Sequence, residues 1–372
     1  MSLQSEARID LAAIRANVRE LRGRTSAEVM AVVKADGYGH GIVPAARAAL
    51  AGGASWLGVA TLDEALTVRA AGVTAPMLAW LIAPGQPLQA ALEADVELSV
   101  ATGWLLDDVV AAAEASGRTA RIQLKIDTGL GRGGVGPAEW PELVAAAAKH
   151  AAAGAVEITG IWSHFARADE PGDPSIAAQQ KTFAEALDVA AGLGVDPPLR
   201  HLCNSAGALT LPSAHFDLVR AGISIYGYSP VPGDFGLRPA MTMRGSVAVV
   251  KRLPAGHGIS YGHIYTTERE TTVALVPLGY GDGIPRAASN IAPLAVGGRR
   301  HRIAGRVCMD QFVVDVGDNP VEVGQDAILF GPGDDGEPTA DDWADALDTI
   351  SYEIVTRVGA RVPRTYVGEE TA

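Results

Sequence analysis

EVMAVVKADGYGHG (28–41) begins as a short apolar run, carries one lysine at its end and then breaks into a glycine-rich turn. Apolar and β-branched residues followed by turn residues read as a buried strand over 28–36, with Lys34 near its carboxyl end. The pattern recurs further along the chain. Strand-like runs stand at WLGVA (56–60), PMLAWL (76–81), VELSV (96–100), RIQLKIDTG (121–129), VEITGIWSHF (156–165), RHLCNSAG (200–207) and DLVRAGISIYG (217–227). Segments of helical period separate them, most clearly LDEALTVRAA (62–71) and PELVAAAAKHAAA (141–153). Eight such units in about 200 residues fit a parallel (β/α)8 barrel. The same alternation also allows a doubly wound open sheet.

The polar residues favour the barrel, whose chemistry collects at the carboxyl ends of its strands. Lys34, Asp127, the pair Ser163–His164, the pair Asn204–Ser205, and Arg220 with Gly222 and Tyr226 all fall at such ends. Ser205 and the run AGIS (221–224) offer a hydroxyl and accessible backbone N–H groups in the loops where barrels often hold phosphate. A lysine at a strand end could be an ordinary solvated side chain. Beside a phosphate cradle it is also what covalent attachment of pyridoxal phosphate requires. Neither a G-x-G-x-x-G between strand and helix nor a G-x-x-x-x-G-K-[ST] is present, so a dinucleotide or nucleotide triphosphate is not expected.

After about Gly227 the rhythm changes. SPVPGDFGLRP (229–239) reads as a linker, and TTVALVPLGY (271–280), RRHRIAGRVCMDQFVVDVG (299–317) and QDAILFG (325–331) read as strands. EPTADDWADAL (337–347) reads as a short capped helix. The expected domains are a barrel over 11–237 and a mainly β domain over 238–372.

The 372 residues suit two domains, and a net charge of −13 argues against nucleic acid as a partner. No run of about 18 apolar residues crosses a membrane. Two cysteines, Cys203 and Cys308, suit a reducing compartment and a cytoplasmic protein, and the opening MSLQSEARIDLAAIR lacks the pattern of a secretory leader. The eight histidines form no H-E-x-x-H, and no metal site is expected.

The motifs AVVKADGYGHG (31–41), KIDTGLGRGG (125–134), WSHFARAD (162–169), HLCNSA (201–206), LVRAGISIYG (218–227), SYGHIY (260–265), GYGDGIPR (279–286), GRVCMDQ (305–311) and ISYEIVTR (350–357) resemble those of alanine racemases, in order and along nearly the whole chain. The resemblance implies a pyridoxal phosphate barrel, a β domain to which residues 1–10 also belong, and a homodimer with shared active sites. Lys34 matches the lysine that carries the cofactor. Tyr38, Ser205, Gly222, Ile223 and Tyr352 match phosphate contacts, Arg220 the residue facing the pyridine nitrogen, and His164 a residue lining the cofactor. Arg132 matches an arginine near the substrate carboxylate. Tyr261 matches a second base given by the partner subunit, and Met309 a substrate contact from that subunit. Lys125 matches a lysine carbamylated in many members, although a plain lysine reaching for the barrel mouth is the alternative.

Departures from the family pattern are mild: Gly37 and Gly281 stand where alanine is common, and GLGRGG replaces the commoner GMGR sequence. None removes a polar catalytic group. The implied reaction interconverts L- and D-alanine by two bases, Lys34 and Tyr261, with Arg220 and His164 as candidate positive charges beside them, and its D-alanine product would serve peptidoglycan. A broad-specificity amino-acid racemase and a non-catalytic pyridoxal phosphate binding protein are the alternatives. The second lacks the β domain with SYG and GRVCMDQ that this chain carries.

Overall fold

A computed structural model describes residues 3–369 of the chain. The first strand, β1 (Ser5–Asp10), precedes the barrel. The barrel strands are β2 (Glu28–Val32), β3 (Trp56–Val59), β4 (Met77–Ala79), β5 (Glu97–Val100), β6 (Ala120–Lys125), β7 (Val156–Trp162), β8 (Leu199–His201) and β9 (Leu218–Ala221). They are parallel and ordered β8-β7-β6-β5-β4-β3-β2-β9. Between β8 and β9 the wall is completed by two backbone bonds, Asp217 N–H to Arg200 O and Arg220 N–H to Cys203 O, each 3.0 Å. Arg200 also pairs with Asp217 at 2.7 Å. The alternation of the sequence therefore closes into the barrel, not an open sheet.

Several strands end earlier than their apolar runs suggest. β2 stops at Val32 because the chain then enters a left-handed turn, and β9 stops at Ala221 before a 3-10 turn over Ile223–Tyr226. Gly222 and Tyr226 thus lie beyond the strand, not in it. The connecting helices follow local rules. In Leu62–Ala70, Thr61 accepts the Glu64 N–H while Glu64 accepts the Thr61 N–H, a reciprocal cap worth about 1 kcal/mol. Trp140, at the start of Trp140–Ala152, is buried with its indole N–H donating to Ala186 O at 2.8 Å.

The barrel interior is divided. Met30, Leu78, Trp162 and Leu218 form a buried apolar cluster, with Trp56 and Trp80 packed against it. The remaining inward positions of β5 to β8 are polar: Glu97, Ser99, Gln123, Lys125, Thr159 and His201 are all buried. In β6 the period of two sets Arg121, Gln123 and Lys125 on one face and Ile122 and Leu124 on the other.

The other compact unit comprises the N-terminal segment through Ala13, the short stretch Tyr38–Gly41, and the chain from Arg238 on. Its strands are β10 (Met241–Ser246), β11 (Val249–Leu253), β12 (Gly258–Ile259), β13 (Tyr265–Thr266), β14 (Thr271–Val276), β15 (Pro293–Val296), β16 (Arg299–Ala304), β17 (Phe312–Gly317), β18 (Asp326–Phe330) and β19 (Arg364–Val367). Nine strands form one sheet, ordered β11-β14-β17-β16-β15-β18-β10-β1-β19, and β12 pairs with β13. β1 lies antiparallel to β10 and parallel to β19, with Ala7 opposite Met243 and Arg364. The Thr339-capped helix Ala340–Leu347 buries Trp343, whose indole N–H donates to Leu329 O at 2.6 Å.

Gly58 of β3 leaves room for the apolar cluster: a methyl there would lie 2.7 Å from the Trp80 ring and 2.8 Å from Met30 Sδ. Gly58→Ala should destabilise the barrel by about 1–3 kcal/mol, read as a lower urea midpoint with an unchanged slope.

Candidate active site at the barrel mouth

Lys34 stands two residues beyond β2, at the start of a left-handed turn. Ala35, Asp36, Gly37 and Tyr38 have φ of 52°, 53°, 61° and 52°. Such a conformation costs an L-residue roughly 1–2 kcal/mol each, so the turn needs external holds. Asp36 Oδ1 accepts the Ile42 N–H at 2.9 Å, and Glu64 Oε1 accepts the Ala35 N–H at 2.7 Å. Glu64 thereby joins the cap of the next helix to the backbone beside the lysine.

The loop after β6 is shaped by Asp127, whose Oδ1 accepts the N–H groups of Gly129 and Leu130 at 2.9 Å and of Gly131 at 3.2 Å. Arg132 projects from this loop. After β7, Ser163 Oγ meets Thr128 Oγ1 at 2.8 Å, and buried Gln179 donates to Thr128 Oγ1 and to His164 O. At the end of β8, Asn204 caps the helix Ser205–Thr210 through the Gly207 N–H.

Arg220 is the centre. It is buried, and its guanidinium donates to His201 Nδ1 (2.9 Å), Ser163 O (2.7 Å), Leu202 O (3.1 Å) and His164 Nδ1 (3.1 Å). Its Cζ lies 4.7 Å over the Trp162 ring, and Lys125 Nζ lies 4.2 Å over the same ring. Four cations, Lys34, Lys125, Arg132 and Arg220, crowd one site. Burial, then Arg220 and Arg132, push the Lys125 amine down to about 8. Burial, then Arg132, lower Lys34 as well. Burial brings Arg220 down to about 9, so it remains a cation at neutral pH.

His164 is pushed well below the ordinary histidine value, by burial first and then by Arg220 and the other three cations. It is neutral at pH 7. The expectation that His164 could supply positive charge is therefore corrected: with Arg220 donating to its Nδ1, it acts as an acceptor.

The cradle expected for phosphate is built from Ser205 and the 222–224 turn. Ser205 Oγ accepts the Gly222 N–H at 2.9 Å and the Ser224 N–H at 3.4 Å, with Ile223 buried between them. Ser224 Oγ is buried without a partner among the described residues, as an oxygen awaiting an anion would be. Hydroxyls, backbone N–H groups and a cationic surround fit a phosphorylated cofactor whose aldehyde could reach Lys34.

The other unit holds the remaining sequence-predicted residues. Tyr38 and Tyr352 face each other, ring centres 6.1 Å apart. Arg364, unnoticed in the sequence, fastens the Tyr38–Gly41 stretch by donating to Gly39 O at 3.0 Å and to Val358 O, Gly359 O and Val362 O at 2.7–2.9 Å. Tyr261 and Met309 stand on this unit's surface, 73% and 54% exposed. Their segments lie side by side, with Ser260 Oγ donating to Arg306 O and 3.4 Å from Cys308 Sγ. A hollow of ≈ 400 Å³ opens beside Tyr261, lined in part by Leu275, Phe312 and Val313. Arg361 braces the Met309 loop, binding Asp282 twice at 2.9 Å and Asp310 at 2.7 Å.

Sequence reasoning missed Trp162 as the ring beneath two cations, and Gln179, Gln123 and Glu97 as buried polar residues. The signal for Gln123 was its parity with Lys125 in RIQLK.

Two family models match the chain: "Alanine racemase, N-terminal domain" over residues 9–230 and "Alanine racemase, C-terminal domain" over 240–366. The chain is 60% identical to the alanine racemase of Salinispora arenicola, over 98% of this chain and 99% of the relative. The crystal structure of alanine racemase from a D-cycloserine-producing Streptomyces lavendulae is similar at a TM-score of 0.97 and 56% identity, covering 99% of this chain and 98% of that one. The alanine racemase structure from Streptomyces coelicolor is similar at 0.97 and 57%, covering 98% of each.

Lys125 bears a direct test of the charge crowding. Between about pH 8 and the ordinary lysine value of about 10.4, the native state has released a proton that the unfolded chain keeps. Stability should therefore rise with pH across that window. Urea unfolding at about pH 7.5 and about pH 9.5 should show a smaller rise in Lys125→Met than in the wild type.

Proposed function

The chain belongs to the alanine racemase family, and from that membership we propose that it interconverts L- and D-alanine at the barrel mouth with pyridoxal phosphate as cofactor. The observation that carries the reading is the cradle of Ser205, Gly222 and Ser224 after β9, the strand that pairs with the β2 strand leading to Lys34, together with the buried guanidinium of Arg220 on β9. When bound, the cofactor supplies the electron sink that makes the α-proton of alanine removable.

Ser205, Gly222, Ile223, Tyr38 and Tyr352 would hold its phosphate, Lys34 its aldehyde carbon, and Arg220 would face its ring nitrogen with His164 alongside. Arg132 would grip the substrate carboxylate. A proton must leave one face of the α-carbon and another arrive on the opposite face, so two bases are needed. Lys34, lowered by burial and Arg132, is poised to take or return the proton on one face. Tyr261 of a second copy of the chain would serve the other face, with Met309 of that copy closing the substrate's side. The exposure of both side chains leaves them within reach of a second copy, as a homodimer with shared sites requires. Arg220 keeps its own protons, so it should leave the ring nitrogen unprotonated and limit side reactions.

Lys125 has a further role in this reading. An amine lowered to about 8 is partly neutral at pH 7 and can add carbon dioxide, forming an N–C bond and releasing one N–H proton to solvent. The resulting carbamate would place one negative charge among Arg220, Arg132 and Lys34 and so orient Arg132. Lys125→Ala should lose activity and recover part of it with added chloride or acetate; full activity without either would remove the carbamate from the reading. Two unpaired thiols suit a cytoplasmic enzyme supplying D-alanine to peptidoglycan.

Incubation with pyridoxal phosphate and L-alanine in deuterated water should give D-alanine carrying an α-deuterium, resolved by chiral chromatography with mass detection. Tyr261→Phe should slow α-proton exchange of L-alanine by about 100-fold or more, the usual scale for a lost general base. Undiminished exchange in that variant would overturn the assignment of Tyr261.

A further inference from the structure

Arginine has N–H donors and no acceptor, so each group that Arg220 meets must accept. Its Nη1 lies 2.9 Å from His201 Nδ1, which is therefore the lone-pair nitrogen. The single proton of this neutral ring sits on Nε2, and that N–H faces Gln123 Oε1 at 2.7 Å. With its oxygen committed, Gln123 turns its NH2 group to Glu97 Oε2, 2.8 Å away. The same carboxylate oxygen also accepts the Thr159 hydroxyl at 2.7 Å. All the donors thus run one way, from Arg220 on β9 through His201 on β8 and Gln123 on β6 to Glu97 at the start of β5.

The rest of the interior holds this chain in place. Trp162 stacks on His201, 5.6 Å between centres and 4° from parallel, and is itself fixed by donating to Ser99 Oγ at 3.0 Å. Gly160 leaves the room that the Gln123 amide occupies: a methyl there would come within 3.1 Å of its Cδ and 3.2 Å of its Oε1. Glu97 lies at the amino end of its strand, opposite the mouth, and touches no reacting group.

We propose that Glu97 and Gln123 are positioning residues for Arg220: with His201 they form a one-way hydrogen-bond relay that locks His201 in its Nε2–H tautomer and so fixes the plane of the guanidinium. The inference rests on the reading above, in which Arg220 faces the cofactor nitrogen. The relay has no alternative with all its donors satisfied. Turning the Gln123 amide over sets its NH2 against the His201 Nε2–H, and a second proton on His201 sets N–H against the Arg220 N–H. Either error leaves a buried donor unpaired and frees Arg220 to tilt.

The test is nitrogen NMR of the holoenzyme labelled with 15N-histidine, with the His201 signals identified by their loss in His201→Gln. The wild type should show His201 protonated at Nε2 alone, its proton protected from exchange. Gln123→Leu should broaden or shift that signal and lower kcat roughly tenfold, with KM for alanine nearly unchanged. Gly160→Ala, which only crowds the amide, should move the same signal in the same direction should the leucine variant fail to fold. Glu97→Leu, which removes the acceptor of the Gln123 amide, should shift the same signal and lower kcat; an unchanged signal and kcat would remove Glu97 from the relay.

A wild-type His201 protonated at Nδ1 would overturn the relay, as would a Gln123→Leu variant with unchanged signal and unchanged kcat. The imidazole signals do not depend on turnover. A chain that keeps the Nε2–H tautomer but does not racemise alanine therefore supports the relay while overturning the functional reading.

Discussion

A guanidinium buried without a contacting carboxylate is the constraint around which the barrel interior is organised. Arg220 has no ion-pair partner among the described residues; its donors go to two backbone carbonyls and two imidazoles, and its face lies on Trp162. A buried cation normally recruits an anion. Here the nearest acidic end of the network, Glu97, is separated from it by two neutral side chains. At the mouth, burial first and then the crowded cations lower Lys34, Lys125 and His164, with Arg220 acting on the last two. A carboxylate placed directly on Arg220 would cancel much of its positive field and weaken its attraction for a phosphate and a carboxylate substrate.

The division of the barrel interior follows from the same requirement. Met30, Trp56, Leu78, Trp80 and Leu218 fill one side and keep it dry. Trp162 is the boundary: one face supports cations and His201, and its indole N–H reaches Ser99. An aromatic ring suits this place because it offers both apolar contact and a negative face to a cation. Gly58 and Gly160 mark close packing on each side, one against Trp80 and one against Gln123.

Much of this was legible in the sequence, because strand ends carry the chemistry of a barrel and apolar runs carry its wall. Lys34, Ser205 and Arg220 stood out as polar residues at the ends of such runs. Gln123 was marked only by its parity with Lys125 in RIQLK, and Glu97 was not marked at all, since a barrel strand is buried on both faces and nothing in VELSV says which parity points inward. The extents of β2 and β9 were overestimated for a different reason. Apolar residues continue past both strands, but the backbone leaves the sheet because the site needs a left-handed turn at Ala35 and a 3-10 turn at Ile223. In the β domain, β10 and β11 went unread: they follow a Pro- and Gly-rich stretch, and β11 is half exposed, so its pattern carries little apolar signal. The charge state of His164 depends on its burial and then on four cations brought from distant parts of the chain, which no local pattern encodes.

The left-handed turn after Lys34 connects these points. Three non-glycine residues, Ala35, Asp36 and Tyr38, adopt it together with Gly37. That arrangement persists only where neighbours over-determine it. Asp36 and Glu64 do so on the barrel side, each carboxylate accepting a backbone N–H. In the other unit the continuation of the turn, Tyr38–Gly41, is fastened by Arg364 and packed where a side chain at Gly39 would strike Val355 O. The same backbone conformation carries Lys34 out of the sheet at the end of β2 and, within the other unit, seats Tyr38 against Tyr352.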